Sequence, residues 1–272
     1  MSFWDHLESL RWHFIRSIIV IIALAILAII FNEFIFTNVI LAPKNSDFVT
    51  NKLLCWLGNK INIEYFCNHN LGMKIINTEM AGQLTISIWV ALIAGLVLAV
   101  PYVLYEFWRF IRPALNEKER RYSRGFVFVT SSLFLSGVLF SYFLIVPLAI
   151  NFLGGYKVSY AVENYITLDS YISTVTTLSF ATGLVFEFPV LVYFLTKIGI
   201  ITPKFLIKQR RYIIVIILII AAIITPPDVF SQIMVSIPLY GLFELSIYIS
   251  KKVYKTRKQK IEEKEAAENA GV

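Results

Sequence analysis

The chain has 272 residues, of which 57% are hydrophobic and 16% charged, and its mean hydropathy is +0.69. That much apolar surface exceeds what a core of this length encloses, which excludes a soluble globular protein and makes lipid the solvent for most of the chain. The net charge of +7 is gathered in a few short segments; topology and membrane lipid headgroups account for it, so no nucleic-acid partner is predicted.

In the opening stretch FWDHLESLRWHFIR, Phe3, Leu7, Leu10 and Phe14 recur at heptad-like spacing. They predict an amphipathic helix lying at the membrane interface before the chain turns into the bilayer. Glu8 falls on its wetter flank, and His6 and His13 read as interfacial side chains. Apolar runs near the ~20-residue length that crosses a bilayer then follow in order. They cover residues 17–36, 80–107, 125–152, 171–196, 212–225 and 229–250, the last two hinged by Pro226, Pro227 and Asp228. The predicted fold is therefore an all-α integral membrane protein, with a six-helix transmembrane domain over residues 1–250 and a charged tail, helical or disordered, over 251–272. Residues 212–225 span only ~21 Å, short of a ~30 Å hydrocarbon core, which predicts local thinning of the bilayer there.

Of the 25 Lys and Arg, only Lys44, Lys52, Lys60, Lys74 and Lys157 fall in the first and third loops and not in the N-terminal segment, the second and fourth loops or the tail. Basic residues stay on the cytoplasmic side, so both termini are predicted to be cytoplasmic. Asp5 and Glu8 before the first span, and no small-residue cleavage site after it, predict a retained anchor. Cys55 and Cys67 share the long outer loop, where they either pair or remain free thiols. Adding His69 creates no metal-ligand spacing, and neither metal nor cofactor is predicted.

Two acids stand out. In LVFEFPVLV, Glu187 lies ten residues before Lys197, which puts it ~15 Å inside the membrane edge at ~1.5 Å rise per residue. A charged side chain at that depth costs ~2.5–3.5 kcal/mol on insertion scales. Counted at ~100° per residue, Gly183, Phe180, Thr176, Ser173 and Asp169 share its face. This polar stripe predicts either a hydrogen bond between helices or a site for a polar substrate or partner built on Glu187, Thr176 and Ser173. In NEKERR, Asn116 and Glu119 have capping-box spacing. Glu119, ringed by Arg120, Arg121 and Arg124, is also suited to receiving a further cation. No HExxH, GxSxG or paired-aspartate pattern supports an enzyme. The alternative function is a secondary transporter or channel that uses Glu187 as a proton or ion site, although no internal repeat supports a transporter.

The segments FWDHLESLR, YEFWRFIRPALNEKERR, FEFPV, TPPDVFSQ and IPLYGLFE, in that order and at this spacing, resemble TatC, the polytopic subunit of the twin-arginine protein translocase. The resemblance covers nearly the whole chain. It implies a concave, glove-like bundle in the bacterial inner membrane that binds the twin-arginine signal peptides of folded cargo proteins. It also implies assembly with single-span TatA/TatB-type subunits, a homo-oligomeric receptor complex and transport driven by the proton-motive force. By position, Glu119 matches the family's acid in the second cytoplasmic motif. In HLESLR, Ser9 stands where the family has its N-terminal acid, with Glu8 one place earlier, ~100° around a helix, and Arg11 completing the motif. A rotated helix that lets Glu8 substitute is the expectation. Glu106 falls where the family carries a polar residue, and Glu187 on its membrane-embedded acid. Thr225 and Gln232, with Asp228 between them, match the polar cluster that recruits the single-span partners.

Overall fold

The computed structural model describes residues 3–61, 74–111, 123–156, 159, 164–225 and 229–269. The chain divides into two compact units, Met1–Gly183 and Leu184–Val272. Five helical stretches among the described residues are long and apolar enough to cross a membrane, and a sixth helix of 15 residues is shorter. The fold is thus an all-α, multi-pass membrane protein.

In the first unit, α1 runs without interruption over Phe3–Ile30. This differs from the predicted surface helix followed by a turn. The sequence of α1 contains neither Gly nor Pro to break it, and Leu10, Trp12 and Phe14 are exposed along it. Further on, α2 (Val49–Ile61) is an amphipathic helix inside the long loop that carries Cys55, where no helix was predicted. α3 covers Gly82–Ile111. α4 (Ser123–Phe140) passes through a π-turn at Ser141–Ile145 into α5 (Val146–Gly155). Two three-residue strands, β1 (Lys74–Ile76) and β2 (Tyr165–Thr167), pair in parallel with Ile75 opposite Ile166.

α1 and α3 form an antiparallel pair. His13 faces Glu106, and Asn32, nineteen residues later, donates to Ser87, nineteen earlier than Glu106, at 3.3 Å. Small residues make the close approach possible: Ala25 and Ala28 on one helix, Ala91, Gly95 and Ala99 on the other, the alanines all buried. Without a hydrophobic driving force in lipid, such spacing lets backbones meet and gain dispersion contacts.

The loop that follows α1 is tied down at several points. Pro147 has no N–H to offer the carbonyl of Phe143, and Thr50 Oγ1 on α2 donates to that carbonyl instead. Its neighbour Asn51, fully buried, donates to the carbonyls of Pro43 (3.1 Å) and Asn45 (2.8 Å) and accepts from Asn151 (3.0 Å). The hydroxyls of Tyr142 and Tyr171 donate to the carbonyls of Val39 and Ile40, each at 2.8 Å. Cys55 is disulfide-bonded, and Cys67, the chain's other cysteine, lies outside the described residues.

α6 (Leu168–Phe186) leads into the second unit, which continues with α7 (Phe188–Ile198), α8 (Pro203–Lys208), α9 (Arg210–Ile224) and α10 (Val229–Asn269). α10 continues unbroken through residue 250 and into the basic tail. Here α7 packs on α10, with the Phe188 and Phe243 rings 6.5 Å apart and Val192, Phe243 and Ile247 nearly inaccessible, and Thr196 and Ser250 share a buried hydrogen bond of 2.9 Å. Arg210 at the start of α9 donates to Glu244 at 2.8 Å, and Tyr240 donates to the other carboxylate oxygen at 2.9 Å.

α7 ends in a left-handed cap. Gly199 has φ of +91°, its N–H reaches the carbonyls of Leu195 and Thr196, and the N–H of Ile200 reaches that of Leu195 at 2.9 Å. A Cβ at this position would run into the Arg257 guanidinium of α10. Gly199→Ala is expected to destabilise the protein by about 1–2 kcal/mol from the left-handed backbone alone. Thermal unfolding of the purified protein checks this; Gly199→Asn should lose less, because Asn adopts that conformation more readily.

Candidate functional site

Glu106 sits five residues before the end of α3 at Ile111 and is only 2% exposed. A carboxylate buried that far needs partners to offset its lost hydration. Three side chains supply them. His13 Nδ1 donates to Oε2 from α1. The Tyr102 hydroxyl donates to Oε1 at 3.1 Å from one turn earlier in α3, and Arg109 Nη1 lies 3.7 Å from the same oxygen. Phe110 stands edge-on to the His13 ring at 6.1 Å. The pairing of α1 and α3 therefore creates the cluster.

His13 and Tyr102 were not among the predicted site residues. Tyr102, Glu106 and Arg109 are spaced four and three apart, which places them on one helix face and was readable as a local group. The partnership with His13 was not readable, because it depends on the register between two helices distant in sequence.

The remaining predicted residues are distributed as follows. Glu8 and Arg11 are exposed on α1, and Ser9 is half-buried. Glu119 and Asp228 lie outside the described residues. Thr225 caps α9, its hydroxyl donating to the Ala221 carbonyl at 2.8 Å. Gln232 Nε2 on α10 donates to the Leu218 carbonyl of α9 at 3.0 Å. The Gln232 bond thus ties α9 to α10. Thr176 is buried, with its hydroxyl donating to the Ile172 carbonyl, and Ser173 is exposed.

Glu187 lies between α6 and α7, two residues before Pro189 in the first turn of α7. The residues counted onto its face, Gly183, Phe180, Thr176, Ser173 and Asp169, all lie within α6, and Glu187 follows one residue past its end. Both carboxylate oxygens of Glu187 are buried and have no hydrogen-bond partner among the described residues.

Comparison with known proteins completes the description. A family model described as Sec-independent protein translocase protein (TatC) matches residues 5–238. The Sec-independent protein translocase protein TatC of Blattabacterium sp. subsp. Periplaneta americana is 41% identical over 254 residues, covering 92% of this chain and 95% of that protein. The TatC of Aquifex aeolicus is 35% identical over 261 residues, covering 96% and 98%. A crystal structure of the twin-arginine translocase receptor TatC superposes with a TM-score of 0.64 at 35% identity, covering 91% of this chain and 99% of that one.

Proposed function

We propose that this chain, which belongs to the TatC family of Sec-independent protein translocases, is the receptor for twin-arginine signal peptides and the core subunit of the translocase. The family is a translocase component and not a catalytic enzyme, and the relatives carry only translocase names. The observation that carries the reading is the extent of the likeness, which spans the transmembrane domain and is not confined to one motif.

In this reading the chain lies in a bacterial inner membrane with both termini and residues 112–122 on the cytoplasmic side. Glu119 receives a guanidinium of the signal peptide; a planar fork of donors matches a carboxylate in a way a lysine ammonium does not. Thr225, Gln232 and Asp228 form the surface that single-span TatA/TatB-type subunits approach. Copies of the chain assemble into one receptor complex, and the proton-motive force drives passage of folded cargo. α9, with 15 residues, reaches only ~22 Å, and the thinner bilayer around it lowers the barrier to that passage.

The test is site-specific photo-crosslinking from residue 116 to a twin-arginine signal peptide, with a twin-lysine peptide as control. Strong labelling by the first, weak labelling by the second, and loss of labelling in Glu119→Gln are the expected results. Equal labelling by both peptides, or a residue 116 reachable only from the outer face of the membrane, would overturn the receptor assignment.

A further inference from the structure

The buried Glu106 cluster has a form suited to the same ligand and is already occupied from within. We infer that Glu106 is the second acid that receives a signal-peptide arginine in this protein, and that His13 holds its place until the peptide arrives. The inference rests on the receptor reading above and concerns which side chains do the receiving.

Four observations carry it. First, residue 9 is a serine, so the N-terminal motif brings no acid to that position, and Glu8 beside it is exposed. Second, Ser9 and His13 are four residues apart on α1 and so share a face, which places Glu106 level with a point about 6 Å further along α1 than residue 9. An arginine side chain covers that step with its own length. Third, Glu106 Oε2 is held by a single imidazole N–H from a neighbouring helix. An arginine fork satisfies both carboxylate oxygens at once, whereas the imidazole satisfies one. Fourth, Phe110 stands edge-on beside His13, at the level of α3 that faces residue 9, where a guanidinium has an aromatic ring to pass.

Arg109 opposes entry by like charge. It is the weakest of the three partners, 3.7 Å from Glu106 Oε1 with its side chain half exposed, and its head can move into water. Tyr102 keeps its hydrogen bond to Oε1 throughout, since a carboxylate oxygen accepts more than one donor. The exchange thus replaces the His13 contact by a stronger one and leaves no buried charge without a partner.

The experiment uses the full chain in lipid nanodiscs and fluorescently labelled twin-arginine and twin-lysine signal peptides. Glu106→Gln is expected to weaken twin-arginine binding by about 10- to 100-fold and to shrink the preference over twin-lysine. Adding Ser9→Glu to that variant is expected to restore most of both, because it returns an acid to the neighbouring turn. His13→Ala is expected to tighten twin-arginine binding, whereas a purely structural pair would make it weaken binding together with the unfolding midpoint.

A second readout needs no substitution. In protein labelled with nitrogen-15 at histidine, the His13 ring signals should shift on adding the twin-arginine peptide and stay fixed with twin-lysine. If the unsubstituted protein binds both peptides equally, the receptor reading itself fails and takes this inference with it. If it discriminates between them but the His13 signals do not move, or His13→Ala leaves binding unchanged or weaker, the receptor reading stands and the exchange at Glu106 is wrong.

Discussion

Gly95→Leu is expected to force α1 and α3 apart and leave a chain that enters the membrane without holding its first unit together. A Cβ on residue 95 would lie 2.7 Å from the Ala25 nitrogen, 2.8 Å from the Ile21 carbonyl oxygen and 2.9 Å from the Ala25 Cα. All three are backbone atoms of α1, so no side chain can rotate away to make room. Even Gly95→Ala should cost about 1–3 kcal/mol as overpacking; the three further carbons of leucine exceed what a marginally stable fold of roughly 5–15 kcal/mol absorbs without rearranging. Gly241, inside α10, supplies the control, since a Cβ there meets nothing within 4 Å. Gly241→Ala removes a flexible residue from a helix and should be neutral or stabilising by up to about 1 kcal/mol. Thermal unfolding of both alanine variants in the same detergent decides the matter. An unchanged midpoint for Gly95→Ala would show that the helices do not approach at this residue.

The register that places Gly95 against Ala25 is the one that brings His13 to Glu106, and this marks the limit of what the sequence alone discloses. The membrane spans were legible because their signal is local: about twenty apolar residues in a row require helix, whatever they pack against. Ala91, Gly95 and Ala99 are small residues at every fourth position, a spacing that suits close helix packing but names no partner. The partner helix was not legible, and neither was the hydrogen bond between His13 and Glu106 that follows from the pairing. The opening of α1 was misread for a related reason. Phe3, Leu7, Leu10 and Phe14 describe an apolar face, which a surface helix and the end of a spanning helix share equally. α2 and the β1–β2 ribbon went unnoticed because their anchors are distant: Thr50 on Phe143, Asn51 with Asn151, Ile75 beside Ile166. Of the candidate site, Glu187 was identified as an acid in apolar surroundings, and Glu106 only by its place in the resemblance. What each one touches was decided by neighbours far away in sequence.

Glu187→Leu is expected to make the protein more stable, and this separates the two meanings a buried acid can have. Both oxygens of Glu187 are shielded from solvent and neither has a hydrogen-bond partner among the described residues, in contrast with Glu106, whose oxygens both have partners. A buried polar group left unsatisfied costs about 1–3 kcal/mol. Leucine has similar bulk and no polar atoms, so the substitution should recover a comparable amount, read as a rise in the unfolding midpoint in detergent or nanodiscs. Glu187→Gln, still polar and still buried, should recover less. If Glu187 were instead a hydrogen-bonded tie between helices, Leu would lower the midpoint and Gln would come closer to the unsubstituted protein. The order of the three midpoints therefore identifies the role without any transport assay. A carboxyl whose removal stabilises the fold is retained for a reason other than folding. Transport of a folded twin-arginine cargo by the more stable Glu187→Leu protein should then fall, and a stabilised variant that still moved cargo at the full rate would leave Glu187 with neither a structural nor a functional task.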